Sequence, residues 1–266
     1  MADCCITIIG GGLAGAEAAW QVAQAGACVR LYEMRPTRRT PAHQTEYLAE
    51  LVCSNSLKSE SLDDASGLLK TEMRALGSMI LGCAEAHRVP AGSALAVDRE
   101  AFAAAVTQTI ADHPAIEVVR EEVQAIPADR PLIVASGPLT SDSLAADLAR
   151  RFAEFLEPRA GSPARCAGGR EPRAAEPRTS APRTSQLLYF YDAISPIVAA
   201  DSINRDVAYA AARYGVGGAD YLNCPLTQEE YRQFREALLT GERYPLHEFE
   251  KAQYFEGCLP IEELAE

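Results

Sequence analysis

The sequence predicts an α/β fold, a parallel sheet covered by helices, with a smaller α+β insertion domain toward its C-terminal side. Three observations predict it. The apolar run Cys4–Ile9 passes through glycines into the alanine-rich stretch Leu13–Ala25, which has good helix propensity and few breakers. A second buried run, Cys28–Glu33, follows at once, so the chain opens with a βαβ unit and its right-handed crossover. The third is composition: 266 residues, 48% hydrophobic and 23% charged, are enough for one large core or two modest ones.

The later elements follow in order. Leu68–Leu81 and Asp98–Ile110 carry helical apolar spacing, the second with Asp98 placed as its N-cap, and both are expected to cover the same sheet. Pro131–Ser136 reads as a short buried strand ending in the turn Gly137-Pro138, where backbone can approach a ligand. From Glu157 the composition shifts to Pro, Arg, Ala, Ser and Gly, so 157–186 is read as a disordered insertion unable to bury enough apolar surface to fold. The aromatic segment Leu187–Tyr191 follows. Leu222–Thr227 then leads into a helix at Gln228–Thr240, with Thr227 and Glu230 as a capping box and Gly241 suited to the C′ position. The expected organisation is residues 1–156 as the first part of the main domain, 157–186 as linker, and 187–266 as the insertion domain.

Bulk properties exclude several classes. No apolar run reaches the roughly 20 residues of a membrane helix, and Ile6–Ile9 lacks the basic flank of a signal peptide, so a cytoplasmic location is expected. Eight cysteines without a C-x-x-C pair resemble neither a disulfide framework nor a zinc site. They are read as reduced thiols and no metal is expected, with Cys4, Cys5 and Cys28 packed as small hydrophobes. A net charge of −12 weighs against non-specific nucleic-acid binding, which requires clustered Lys and Arg.

Gly10, Gly12 and Gly15 form a G-x-G-x-x-G pattern after a strand and before a helix, and Glu33 ends the next strand. In that setting Gly10, Gly11, Gly12, Leu13, Ala14 and Gly15 make a Rossmann-like pyrophosphate turn, while Glu33 accepts from ribose hydroxyls. FAD and NAD share the fingerprint. Ala19 and Gly26, at the spacing of FAD-type motifs, and Gly137, as a second glycine turn, favour a two-part FAD-binding domain.

Several segments are more particular: Leu31–Pro36 (LYEMRP), Leu51–Ser56 (LVCSNS), Ala96–Arg99 (AVDR), Gly137–Ser141 (GPLTS), Tyr189–Ile194 (YFYDAI), Tyr221–Pro225 (YLNCP) and Phe255–Glu262. With the glycine turn they resemble the TrmFO family of folate- and FAD-dependent tRNA (uracil-5-)-methyltransferases over nearly everything except the linker. The resemblance implies methylation of carbon 5 of the T-loop uridine of tRNA. Methylenetetrahydrofolate is the implied carbon donor, and NADH or NADPH reduces the flavin. It also implies that two cysteines carry the chemistry, Cys224 as nucleophile and Cys53 in an assisting role such as proton removal. Cys258 matches a further motif.

The residues agree with that chemistry. Making carbon 5 of uracil electron-rich requires a nucleophile at carbon 6, and a thiolate suits the step. Cys224 precedes a helix N-terminus, whose macrodipole and free N–H groups favour a thiolate. Tyr189, Phe190 and Tyr191 are candidates for stacking or for core. The chain departs from the family pattern in its linker, in Val216 where lysine is common, and in ending just after the Phe-Glu-Gly-Cys motif, so the flavin domain is expected to be completed beyond Glu266. A generic FAD oxidoreductase and a truncated, non-catalytic family member remain beside the methyltransferase reading.

Overall fold

The computed structural model describes residues 5–40, 42–52, 54–156, 198–213, 215–242 and 261–265. In chain order the first elements are β1 (Ile6–Ile9), α1 (Leu13–Gln24), β2 (Val29–Tyr32), β3 (Ser56–Ser59), α2 (Ala65–Ala75), α3 (Met79–Ala86), β4 (Arg88–Val89) and β5 (Ala94–Val97). Then come α4 (Arg99–Ala111), β6 (Ile116–Val119), β7 (Leu132–Val134), α5 (Asp142–Leu156), β8 (Tyr209–Arg213), β9 (Val216–Asn223), α6 (Gln228–Thr240) and α7 (Ile261–Ala265). The linker 157–186, the aromatic segment around Tyr189–Tyr191, Cys4, Cys53 and the Cys258 motif lie outside the described residues.

The predicted βαβ unit forms as read. β1 pairs in parallel with β2 and β7, and β2 with β6, in the order β6-β2-β1-β7. Numbered by appearance, the four parallel strands lie 3-2-1-4, the order of a Rossmann half-sheet, and the order reverses at β1. The core gathers Ile8, Val29 and Leu31 of the sheet with Ala16, Ala19 and Ala23 of α1 and Phe102, Val106 and Ile110 of α4. Alanine along one face of α1 keeps that helix close to the strands, and burial of the larger side chains stabilises the sheet by roughly 1.5–3 kcal/mol each.

Between β2 and β6 the chain makes an excursion, an antiparallel sheet of order β3-β5-β4 with α2 and α3. The helical pattern over 68–81 is two helices rather than one. Gly77 takes a left-handed φ of 72°, and Ser78 caps α3 by accepting from Leu81 N–H. That break also divides the packing: α4 covers the parallel sheet beside α1, whereas α2 lies on β3. The two predicted helices therefore do not share one sheet.

The reading of Cys5 and Cys28 as separate reduced thiols is corrected. Ile6 is in register with Val29, and Ile6 N–H donates to the Cys28 carbonyl, so the residues just before the two strands stand side by side. Their Cα atoms are 4.6 Å apart and the sulfurs form a disulfide.

The C-terminal described part is the antiparallel hairpin β8–β9 followed by α6. The capping box is present: Thr227 accepts from Glu230 N–H while the Glu230 carboxylate accepts from Thr227 N–H. Gly241 caps the far end with an ordinary φ of −65°, not the left-handed C′ geometry expected of it. Among the described residues no helix is long and apolar enough to cross a membrane, and no group of three His, Cys, Asp or Glu side chains is placed to hold a metal.

Candidate functional site

The glycine turn lies at the carboxyl end of β1, where the strand order reverses and open α/β sheets bind their ligands. Gly10 has a φ of 105°, a region nearly closed to L side chains, and a Cβ there would lie 2.5 Å from the Ala135 carbonyl oxygen. That neighbour belongs to the segment leading from β7 into Gly137, which has its own positive φ of 67°. The two predicted glycine turns thus converge.

Gly12 caps α1 and offers no side-chain acceptor, so the first N–H groups of the helix keep no partner from the cap. A Cβ on Gly12 would meet nothing within 4 Å. Open space over free N–H groups at a helix N-terminus is the geometry a pyrophosphate requires, and this half of the cradle therefore fits a dinucleotide. Gly10, Gly11, Gly12, Leu13, Ala14 and Gly15 stand together at this strand-to-helix turn.

Glu33 is buried at the end of β2. One carboxylate oxygen accepts from Gly11 N–H at 3.0 Å, and the other from Arg35 N–H at 3.0 Å and Arg35 Nε at 2.9 Å. Three of the roughly four acceptor positions of the carboxylate are therefore filled by the chain itself. Glu33 is first a brace for the turn, with one position left on the oxygen that faces Gly11 for a hydroxyl. Burial pushes the Glu33 carboxyl up, but the Arg35 guanidinium and the backbone N–H groups of Arg35 and Gly11 outweigh it and hold the group below its ordinary range.

Arg35 was not singled out by the sequence beyond its place in LYEMRP, yet its side chain is only 2% exposed. Its guanidinium bridges Glu33 and Glu50, the latter at 2.9 Å. Glu50 in turn accepts from Gln44 N–H, Thr45 N–H and the Thr45 hydroxyl. Burial raises the Glu50 carboxyl, and these donors lower it to a net value below the ordinary one. Ala49 N–H donates to the Gly11 carbonyl, so the 44–50 loop is fastened to the glycine turn from both sides. Arg120, at the end of β6, closes the same region by donating to the Arg35 and Glu46 carbonyls. Next to it, beyond the carboxyl ends of β2 and β6, is a cavity of about 480 Å³ lined by Tyr32, Glu121, Glu122, Val123, Gln124 and Pro127.

Arg35→Met is expected to destabilise the fold by about 3–5 kcal/mol, because it removes the one cation between the buried Glu33 and half-buried Glu50 carboxylates and leaves them with neutral donors only. Glu33 and Glu50 both titrate below their unfolded values. Their contribution is therefore fully present above the ordinary carboxylate range and is lost as the pH falls through the depressed values. Urea unfolding from neutral to acid pH should show that loss in the wild type and a much flatter acid limb in Arg35→Met. Equal slopes would rule the network out as the source.

Cys224 directly follows β9 and stands ahead of the Thr227 cap. It is a free, exposed cysteine. The first turn of α6 also carries Glu229 and Glu230, so the positive end of that helix is met by its own carboxylates and is less available to the thiol than the sequence implied. Cys53 is outside the described residues, but its neighbours are fixed: the Leu51 carbonyl accepts from Arg99, and Asn55 pairs with Val97 through both its carbonyl and its side-chain amide. Arg99 and Asn55 lay inside quoted motifs, and only the fold reveals what they hold.

The family model described as "Glucose inhibited division protein A" matches residues 5–266. A methylenetetrahydrofolate–tRNA-(uracil-5-)-methyltransferase TrmFO of Heliobacterium modesticaldum is 52% identical over 260 residues, 98% of this chain and 52% of the relative. The protein of the same name from Geobacter sulfurreducens is 53% identical over 262 residues, 98% of this chain and 53% of its own. The chain therefore spans about half the length of the curated relatives it matches. A solved structure of Aquifex aeolicus GidA is similar over 47% of this chain and 21% of its own, at 18% identity and a TM-score of 0.38, too loose a likeness to carry weight.

Proposed function

Because the chain belongs to the glucose inhibited division protein A family, and its relatives at about half identity are named for uracil-5 methylation of tRNA, we propose that it serves folate-dependent methylation of carbon 5 of the T-loop uridine. The observation that carries this reading is the pairing, in one chain, of an open dinucleotide cradle at Gly10–Gly15 with an exposed free thiol at Cys224.

In this reading residues 1–156 are the first part of an FAD-binding domain and 187–266 the insertion domain that presents the nucleophile. The first N–H groups of α1 would hold the pyrophosphate of FAD, and the remaining acceptor position of Glu33 would take a ribose hydroxyl. FAD, when bound, supplies the means of carrying the one-carbon unit from methylenetetrahydrofolate and of completing the methyl group, with NADH or NADPH as reductant. The thiolate of Cys224 adds to carbon 6 of uracil, forming a carbon–sulfur bond and moving the electron pair of the ring double bond toward carbon 5. Carbon 5 then bonds to the one-carbon unit as the bond from that carbon to its carrier nitrogen breaks, and the two electrons that bring it to the methyl level come from NADH or NADPH. Loss of its proton, for which Cys53 is the candidate acceptor, re-forms the double bond and expels the Cys224 thiolate. A tRNA substrate places the activity in the cytoplasm.

The test is purification of the protein with added FAD, an absorption spectrum for retained flavin, and an assay of 5-methyluridine on T-loop RNA with methylenetetrahydrofolate and NADH or NADPH. Retained flavin and methylated RNA are expected. A colourless protein that leaves the RNA unmodified would overturn the reading for this chain.

A further inference from the structure

The hairpin β4–β5 has no role in the chemistry above, yet both cysteine motifs lean on it. Its turn, residues 90–93, lies against β9. Asp220 Oδ2 accepts from Gly92 N–H at 2.8 Å, and the Tyr221 hydroxyl donates to the Ala91 carbonyl at 2.7 Å. These contacts join parts of the chain 128 and 130 residues apart. The Ala91 carbonyl also accepts from Ala94 N–H, so both of its lone pairs are used and the turn is held closed as it is gripped. Gly92 has a φ of 59°, a left-handed conformation that suits glycine in this turn. All four residues are half-buried, where such bonds are shielded from competing water.

The other end of the same hairpin grips the second motif. Val97, the last residue of β5, donates to the Asn55 carbonyl and accepts from the Asn55 side chain, and Arg99 just beyond it holds the Leu51 carbonyl. Cys224 lies a few residues past Tyr221 on the same strand exit.

We propose that the β4–β5 hairpin is the frame on which the Cys224 strand is aligned, and that Asp220 and Tyr221 are positioning residues for the nucleophile. The assignment rests on the methyltransferase reading for its consequence, though not for its geometry. A hairpin of two strands is marginal alone, and β8–β9 is fastened to the excursion sheet at this corner by two hydrogen bonds. Freed from them, β9 would still pair with β8 but would carry Cys224 over a range of positions. A misplacement of about 1 Å at a reacting group costs on the order of a hundredfold in rate.

The experiment compares the 266-residue wild type with Tyr221→Phe, Asp220→Ala, the double variant and Asp220→Asn. Hydrogen exchange of the peptides spanning 90–93 and 216–224, together with kcat and KM for 5-methyluridine formation, gives the readout. In the double variant, exchange in both peptides should rise by about tenfold or more while β1 and β2 stay protected. The value of kcat should fall on the order of a hundredfold with KM for the RNA and the flavin content unchanged. Asp220→Asn, which keeps an oxygen acceptor for Gly92 N–H, should restore most of both. Unchanged exchange in the double variant overturns the clamp. Raised exchange with undiminished kcat overturns the positioning role. A wild type that forms no methyluridine sinks the function proposed above, and the frame is then decided by exchange and by its rescue in Asp220→Asn.

Discussion

Gly15→Ala is expected to yield a protein that holds no flavin and is less stable than the wild type by about 3 kcal/mol. A Cβ at this position would lie 1.8 Å from the Gly10 carbonyl oxygen and 2.9 Å from its carbon. Those are backbone atoms of the glycine turn, so no side chain can rotate away to make room. Gly10 cannot retreat either, because it is packed against Ala135 and Ser136 on its other side. The only relief is to move α1 off β1, which opens the Ala16–Ala19 contact with the sheet and drags the free N–H groups of the helix away from the cradle. Gly82→Ala is the internal comparison. It changes the same atom on the exposed side of α3, where a Cβ would meet nothing within 4 Å. That substitution should be neutral or stabilising by about 0.5–1 kcal/mol, since alanine loses less conformational entropy in a helix. Thermal unfolding and the flavin absorption band decide both, and equal behaviour of the two variants would refute the steric account.

Cys224→Ala should leave the fold and the flavin content untouched and reduce 5-methyluridine formation by about a thousandfold or more, the usual consequence of deleting a covalent nucleophile. The first half follows from placement: Cys224 is exposed in a connection and is not part of the core among the described residues. Surface substitutions of that kind stay within about 0.5 kcal/mol. Methylation that survives the change, with unfolding unaltered, would remove Cys224 from the mechanism while leaving the dinucleotide site intact. Loss of both stability and flavin would show instead that the thiol is structural.

The part of the fold legible in the sequence is the part fixed by local chemistry. Ile6–Ile9, the glycine turn and Val29–Tyr32 formed as expected because an apolar run, a tight turn and an alanine-rich helix each specify their own conformation. The Thr227–Glu230 capping box is equally local and also appeared. What escaped was set by distant partners. The strand Ala94–Val97 is short and apolar, and becomes a strand because β3 and β4 flank it. Ile116–Val119 joins the parallel sheet only because β2 offers it an edge. The Cys5–Cys28 pairing depends on strand register, which composition does not encode. Arg35 is the clearest omission at the site. An arginine after a strand reads as surface, and its burial follows from Glu33 and Glu50 arriving on two sides of it.

The excursion between β2 and β6 also bears on how the molecule is made. β2 ends at Tyr32 and its outer partner begins only at Ile116. During synthesis the β1–α1–β2 unit emerges first, with the outer edge of β2 bare until the whole of β3 through α4 has followed it out. Pairing across so long a separation closes slowly, since the loop entropy must be met before the new contacts reward it. For that interval Val29 and Leu31, which end fully buried, sit on an open strand edge that a second nascent chain can dock onto. The glycine turn is thus born early on a sheet that is finished late, once the excursion has folded and β6 covers that edge.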